Sequence, residues 1–142
     1  MRLYLKKGAT FVFAMIRYAL LFALLFTGTM ACRNRDAVPL VDFTIDLNQP
    51  DYQDLQLFGG QKLVNNILLF RDGLGNYHAV SGYCSYDQCT LEYQVSPDYI
   101  TCPCHTCRYT DDGAVTTGPA TIALTKYLTT LNGTYLRVYS VQ

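Results

Sequence analysis

From residue 41 onward the chain alternates between apolar and polar positions. Val41-Asp-Phe-Thr-Ile-Asp-Leu47 puts an apolar side chain at every second position, the period of a strand with one buried face. Asn66–Arg71, Asn76–Ser81, Tyr127–Leu131 and Thr134–Tyr139 read the same way, and residues 90–101 form a further strand-like stretch. Turn-forming residues punctuate these runs: Gly59-Gly60, Asp72-Gly73, Gly75-Asn76, Asp112-Gly113 and Asn132-Gly133. The last pair lies between two strand runs and predicts a hairpin closed by a type I′ turn, which needs positive φ at both central residues. No segment after residue 33 sustains a helical period. Short strands at this spacing argue for an all-β sandwich or small barrel.

The first 32 residues follow another rule. Between Ala9 and Ala31 the only charged side chain is Arg17, and Tyr18–Phe26 is a short apolar core followed by Thr27-Gly-Thr-Met-Ala31 and Cys32. A cationic start, an apolar stretch and small residues before a break describe a secretory signal. A Cys directly after small residues resembles the lipobox of bacterial lipoproteins, in which that Cys takes the lipid. Met15-Ile-Arg17 supplies an alternative start to Met1. An uncleaved helical anchor over 9–31 and simple cleavage are the competing readings, and all three place the body outside the cytoplasm, where disulfides persist. The expected organisation is a signal peptide over 1–32 ending at Cys32, a linker over 33–40 and one domain over 41–142.

Composition narrows the function. The 142 residues are 50% hydrophobic and 15% charged, which excludes a disordered chain. Formal charge is zero overall, but residues 1–32 hold four cations (Arg2, Lys6, Lys7, Arg17) and no acid. The remainder carries 7 basic and 11 acidic side chains, a net of −4, so the basic footprint of a nucleic-acid binder is missing.

Five of the six cysteines fall between Cys84 and Cys107, in two groups separated by the 90–101 stretch. An exported domain uses cysteines first for disulfides. Five is odd, however, and Cys102-Pro-Cys104-His105-Thr-Cys107 crowds three thiols and an imidazole together, as metal sites do. Covalent haem attachment needs C-x-x-C-H, and Cys102-Pro-Cys104-His105 is one residue short. Thioredoxin chemistry through Cys104-His-Thr-Cys107 lacks its βαβ setting. A zinc site from Cys84, Cys89, Cys104 and Cys107 has suitable ligands but leaves Cys102 and His105 unused.

The arrangement that uses most of these residues resembles the Rieske family. Its members carry C-x-H-x-G-C in one loop, C-P-C-H-G-S-x-Y/F in the next, and then a G-P-A loop. This chain reads Cys84-Ser-Tyr86-Asp-Gln-Cys89, Cys102-Pro-Cys104-His105-Thr-Cys107-Arg-Tyr109 and Gly118-Pro119-Ala120. The resemblance covers roughly 60–142 well and 41–59 loosely. It implies a Rieske-like sandwich or small barrel with a cluster-binding subdomain of two loops. Carried over by position, Cys84 and Cys102 hold one iron of a [2Fe–2S] cluster, His105 binds the other, and Cys89 and Cys104 form the disulfide between the loops. Tyr109 donates to a ligand sulfur, and Gly118 and Pro119 cover the cluster. Tyr86 stands where the family has its other His, Gln88 replaces Gly, and Thr106-Cys107 replaces Gly-Ser. The fourth ligand is therefore open between Tyr86 and Cys107, with Cys107 otherwise beside the cluster, while His78 reads as a surface or core-edge residue of a strand.

Two functions follow as expectations. One is an electron-transfer component at the cell envelope, held to the membrane through a lipid on Cys32 and serving an unidentified redox partner protein. It would not be a self-sufficient enzyme, because nothing else in the body offers a second cofactor. The other is a Rieske fold without a cluster, a disulfide-stapled lipoprotein with a binding or structural role; its 12 Tyr would supply a recognition surface unless most are ordinary half-buried strand residues.

Overall fold

The computed structural model describes residues 40–140. The expected signal segment, Cys32, the alternative start at Met15 and most of the expected linker lie outside the described residues. Among the described residues no helix is long and apolar enough to cross a membrane.

Ten strands form two sheets. In chain order they are β1 (Asp42–Asp46), β2 (Gln61–Val64), β3 (Ile67–Arg71), β4 (Tyr77–Ser81), β5 (Glu92–Val95), β6 (Asp98–Thr101), β7 (Arg108–Tyr109), β8 (Val115–Thr117), β9 (Lys126–Asn132) and β10 (Tyr135–Tyr139), with a short 3-10 helix at Pro50–Gln56. The larger sheet runs β1-β10-β9-β4-β3-β2 and the smaller β5-β6-β7-β8, all neighbours antiparallel. The all-β expectation holds, and five of the alternating runs lie on β1, β3, β4, β9 and β10.

The differences are local. Residues 90–101 are not one strand but the β5–β6 hairpin, pairing Glu92 with Thr101 and Val95 with Asp98 around Ser96-Pro97. Proline cannot donate to a ladder, so the run breaks there. The β9–β10 hairpin forms, but Asn132 pairs with Tyr135, leaving Gly133-Thr134 as the turn with positive φ (61°) at Gly133 alone. The type I′ geometry occurs instead at Asn65-Asn66, with φ of 51° and 67°, closing β2 onto β3 where Val64 pairs with Ile67. Asparagine tolerates this left-handed backbone better than most residues. The sequence expectation started a strand at Asn66 and missed β2.

β3 explains how the cores connect. Ile67, Leu68, Leu69 and Phe70 are all buried, so this strand has no solvent face. Ile67 and Leu69 join Ile45, Leu47, Leu55, Ala79, Leu136 and Val138 in a basal core. Leu68 and Phe70, pointing the other way as the pleat requires, join Val80, Leu91, Tyr93, Ile100, Tyr109 and Leu124 in a second core that also buries Cys84, Cys102 and Cys107. The sheets are tied at one edge by an amide: Gln61 Nε2 donates to the Tyr93 carbonyl at 3.2 Å, and Tyr93 N–H donates to Gln61 Oε1 at 2.6 Å.

The β3–β4 turn is built around Asp72, a buried carboxylate. It accepts from the N–H groups of Leu74 and Asn76, from the Asn76 amide, and lies 3.0 Å from His78 Nε2. Burial opposes ionisation, but these donors outweigh it and hold the carboxyl well below the ordinary range. His78 is half-buried and stacks on Phe70 with ring centroids 5.1 Å apart. The β8–β9 loop is seated by Gly118: at φ +103° an added Cβ would lie 2.5 Å from Cys107 Cα and 2.7 Å from its N.

Two substitutions test these supports. Asp72→Ala should cost about 2–3 kcal/mol, because it leaves charged-group hydrogen bonds unmade. The native contribution is complete above about pH 4 and falls away as the pH drops through the lowered folded-state value, so the variant's acid limb should flatten in thermal melts against pH. An unchanged melting temperature at neutral pH would refute this. Gly118→Ala should destabilise by at least about 2 kcal/mol in denaturant titration, since backbone cannot yield to the new methyl group.

Candidate metal centre

Two loops approach each other at one end of the second core. The first, between β4 and β5, is closed by a backbone bond from Cys84 N–H to Cys89 O at 2.8 Å, with Gln88 N–H donating to Cys84 O at 2.9 Å. Gln88 has φ +63° at the position where the family pattern has Gly. The second, between β6 and β7, is closed by Cys102 N–H to Cys107 O at 3.1 Å. Cys89 and Cys104 are disulfide-bonded across the loops, with Cα atoms 6.4 Å apart. Among the described residues Cys84, Cys102 and Cys107 are free and buried.

The sulfurs sit in a directional environment. Tyr109 is fully buried, and its hydroxyl is 3.3 Å from Cys84 Sγ, 3.2 Å from Ser85 Oγ and 3.3 Å from Ser85 N–H, from which it accepts. Ser85 Oγ donates to the Ile122 carbonyl at 2.6 Å, which binds the β8–β9 loop to the first box. Burial and the neighbouring Cys84 push the Tyr109 phenol up to about 12, so it stays a donor at any physiological pH. Burial raises the Cys102 thiol, against the backbone N–H groups of Cys104 and His105 that face its sulfur. Cys107 is also raised by burial, and it meets the Ala120 N–H and Cys84.

The expected residues separate by position. Cys84 and Cys102, one from each loop, are buried in the same core. His105 comes to the same place from the second loop, its side chain 39% exposed. Tyr86 does not turn inward: it is 56% exposed and meets the His105 ring edge-on, centroids 5.3 Å apart. Cys107 is fully buried, with the Gly118 backbone packed against its own backbone. His78 belongs to the Asp72 turn.

Sequence reasoning passed over Asp87. Its Oδ2 is 2.6 Å from His105 Nδ1, and its Oδ1 is 3.8 Å from Cys102 Sγ and 3.3 Å from the Cys89 N–H, from which it accepts. Burial alone would raise this carboxyl; the Cys84 and Cys89 donors and the facing imidazole overcome that and lower it. The available signal was that Asp87 is the one acidic residue in either cysteine box.

The donors suit an iron–sulfur group in kind and grouping. Two thiols of one type lie together, and an imidazole nitrogen with a carboxylate lies beside them. All four come from loops fixed by a disulfide, and soft sulfur with imidazole is the ligand chemistry of iron–sulfur sites.

Comparisons with known proteins agree with the fold. The cytochrome b6-f complex iron–sulfur subunit of Chlorobaculum tepidum is 38% identical over 53 residues, 37% of this chain and 29% of that protein, so the match spans less than a third of the relative's length. The ferredoxin of carbazole 1,9a-dioxygenase from Nocardioides aromaticivorans IC177 superposes with a TM-score of 0.55 at 23% identity, covering 62% of this chain and 91% of that one. The plasma membrane Rieske protein of Synechocystis PCC 6803 aligns with a TM-score of 0.48 at 25% identity over 55% of this chain and 82% of that one. The family model of the Rieske [2Fe-2S] domain matches residues 39–128, and the chain belongs to that family.

Proposed function

We propose that this chain is a single-electron carrier, with a [2Fe–2S] cluster held between the two disulfide-linked loops by Cys84 and Cys102 on one iron and His105 on the other. The observation that carries this reading is the convergence of two buried thiols and His105 Nδ1 from separate loops onto one end of a rigid core. Bound there, the cluster supplies reversible one-electron redox chemistry. Imidazole in place of thiolate raises the potential of such a cluster, which with two imidazoles on one iron lies at about −150 to +300 mV against about −400 mV for plant-type all-cysteine clusters.

The chain's own residues do the tuning. Tyr109 donates to the Cys84 sulfur, the N–H groups of Cys104 and His105 face the Cys102 sulfur, and each such donor favours the more negative, reduced state. The core behind Cys84 excludes water from the sulfur side. The other side opens to solvent through the partly exposed His105 edge, flanked by exposed Tyr86, Pro103, Pro119 and Ile122. That tip offers an apolar rim on which a redox partner can dock close to the cluster. The relative in Chlorobaculum tepidum is a subunit of a cytochrome complex, and a membrane-bound electron-transfer protein is the partner class proposed here.

Placement at the cell envelope is part of the proposal. The leader ending at Cys32 supports export and lipid attachment, and the Cys89–Cys104 disulfide suits an oxidising compartment.

Anaerobic purification of residues 33–142, with iron and acid-labile sulfide assays and a visible spectrum, should give about two of each per chain and a coloured protein. A folded, colourless, iron-free protein would overturn the electron-carrier reading and leave a disulfide-stapled domain used for binding. In the loaded protein Tyr109→Phe should lower the midpoint potential by about 40 mV, the one-electron equivalent of one neutral hydrogen bond of about 1 kcal/mol. An unchanged potential would remove Tyr109 from the tuning set.

A further inference from the structure

We infer that Asp87 supplies the fourth ligand of the cluster, through a carboxylate oxygen on the iron that His105 binds. This rests on the electron-carrier reading above and names the residue that completes its site.

Three side chains compete for that position, and the structure separates them by direction. Tyr86 occupies the family's sequence position, yet it leans out to solvent and touches His105 only at the ring edge. Reaching inward would require this large phenol to leave that flank and lose a proton. Cys107 has the right chemistry in the wrong place. It is fully buried, engaged by the Ala120 N–H and pinned by the Gly118 backbone, whereas Asp87 meets His105 directly.

Asp87 faces both the imidazole and a ligand thiol of the second loop. One oxygen lies 2.6 Å from His105 Nδ1, and the other lies 3.8 Å from Cys102 Sγ and accepts from the Cys89 N–H. A contact of that length sets the nitrogen and the oxygen side by side, so one iron about 2.0–2.2 Å from each would sit off the line between them, after a small rotation of both side chains. Holding the iron would require both atoms to be deprotonated, so the hydrogen bond between them would give way to two metal bonds. The ligating ring would then be the neutral tautomer with its one proton on Nε2. Imidazole with carboxylate is an established ligand pairing for non-haem iron.

The loop geometry explains the shift by one position from Tyr86. The turn is held by Gln88 N–H and the Gln88 side-chain amide, both donating to Cys84 O, with Gln88 in the left-handed region at φ 63°. Asp87 Oδ1 caps the Cys89 N–H, which orients its carboxylate across the mouth of the site. The Asp87 side chain is 20% exposed, less than His105 at 39%.

The charge consequence is direct. Replacing a neutral imidazole by a carboxylate adds one negative charge to the cluster and disfavours its reduced state. The potential should therefore lie below that of the same chain carrying two imidazoles.

The test loads full-length wild type, Asp87→Ala, Asp87→Asn, Asp87→His, Tyr86→Phe and Cys107→Ser with iron and sulfide. Iron content, reduced-state electron paramagnetic resonance and midpoint potential are then measured, with circular dichroism and disulfide state as checks on folding. The expected result is one strongly coupled ligand nitrogen in wild type. Tyr86→Phe and Cys107→Ser should keep wild-type iron content and g values, Asp87→Ala and Asp87→Asn should lose at least half of the iron, and Asp87→His should retain iron, show a second coupled nitrogen and have a raised potential. Folded Asp87→Ala and Asp87→Asn proteins with wild-type iron, g values and potential would overturn the inference, as would loss of iron confined to Tyr86→Phe or Cys107→Ser. Should Asp87→Ala fail to fold, the isosteric Asn and the His variants still decide. A wild type that takes up no iron overturns instead the electron-carrier reading on which the inference rests.

Discussion

Leu68 and Phe70 of β3 pack against the same core that buries Cys84, Cys102, Cys107 and Tyr109, and the metal-binding end of the molecule depends on that shared packing. A loop that presents sulfur and nitrogen donors cannot hold them by its own hydrogen bonds, because loops are the least stable parts of a fold. Here the donors grow out of a close-packed interior. Each buried side chain of the size of Leu or Phe contributes about 1.5–3 kcal/mol, and Phe70 adds a stack on Tyr93 with centroids 4.1 Å apart. β3 is buried on both faces, so the basal core of Ile67 and Leu69 fixes the strand whose other face supports the site. The disulfide then joins the two loops at their tips, where packing is thinnest. In the chain-entropy description, closing a loop of this length is worth roughly 3 kcal/mol.

Much of this was legible in the sequence. The period-two runs located five of the ten strands, because half-buried antiparallel strands write their environment into every second residue. β2 was not legible: Gln61-Lys-Leu-Val64 has little alternation, and its place is set by the Asn65-Asn66 turn and by the Gln61 side chain bonding to Tyr93 across the sheets. The position of the last turn was missed by one residue for a related reason. Asn132-Gly133 is a strong turn signal, but cross-strand pairing of Asn132 with Tyr135 fixed the register and left Gly133 with the positive φ alone.

The proposed site was legible in its cysteines and not in the donor inferred to complete it. Cys84, Cys89, Cys102, Cys104 and His105 announce themselves by spacing. Asp87 does not, since a single acid in a loop is ordinarily a solvated turn residue; only the fold shows its carboxylate facing inward, with Tyr86 turned out. Reading by position assigns the vacancy left by the family's His to its replacement, Tyr86. Reading by direction assigns it to the neighbour. The two differ because a tight loop turns successive side chains to different sides, and the left-handed residue Gln88 sets which one faces in.

The chemistry that follows is asymmetric. Two sulfurs sit in a dry, hydrogen-bonded pocket, and a nitrogen with an oxygen sits at the solvent edge, so electrons would exchange through the imidazole side. Mössbauer spectroscopy of the chain loaded with iron-57 tests that asymmetry most directly. Two inequivalent ferric sites in equal amount, with the added electron localised on one iron after reduction, are expected from unlike ligation. Two equivalent ferric sites of all-sulfur character, or no iron in a folded chain, would contradict it.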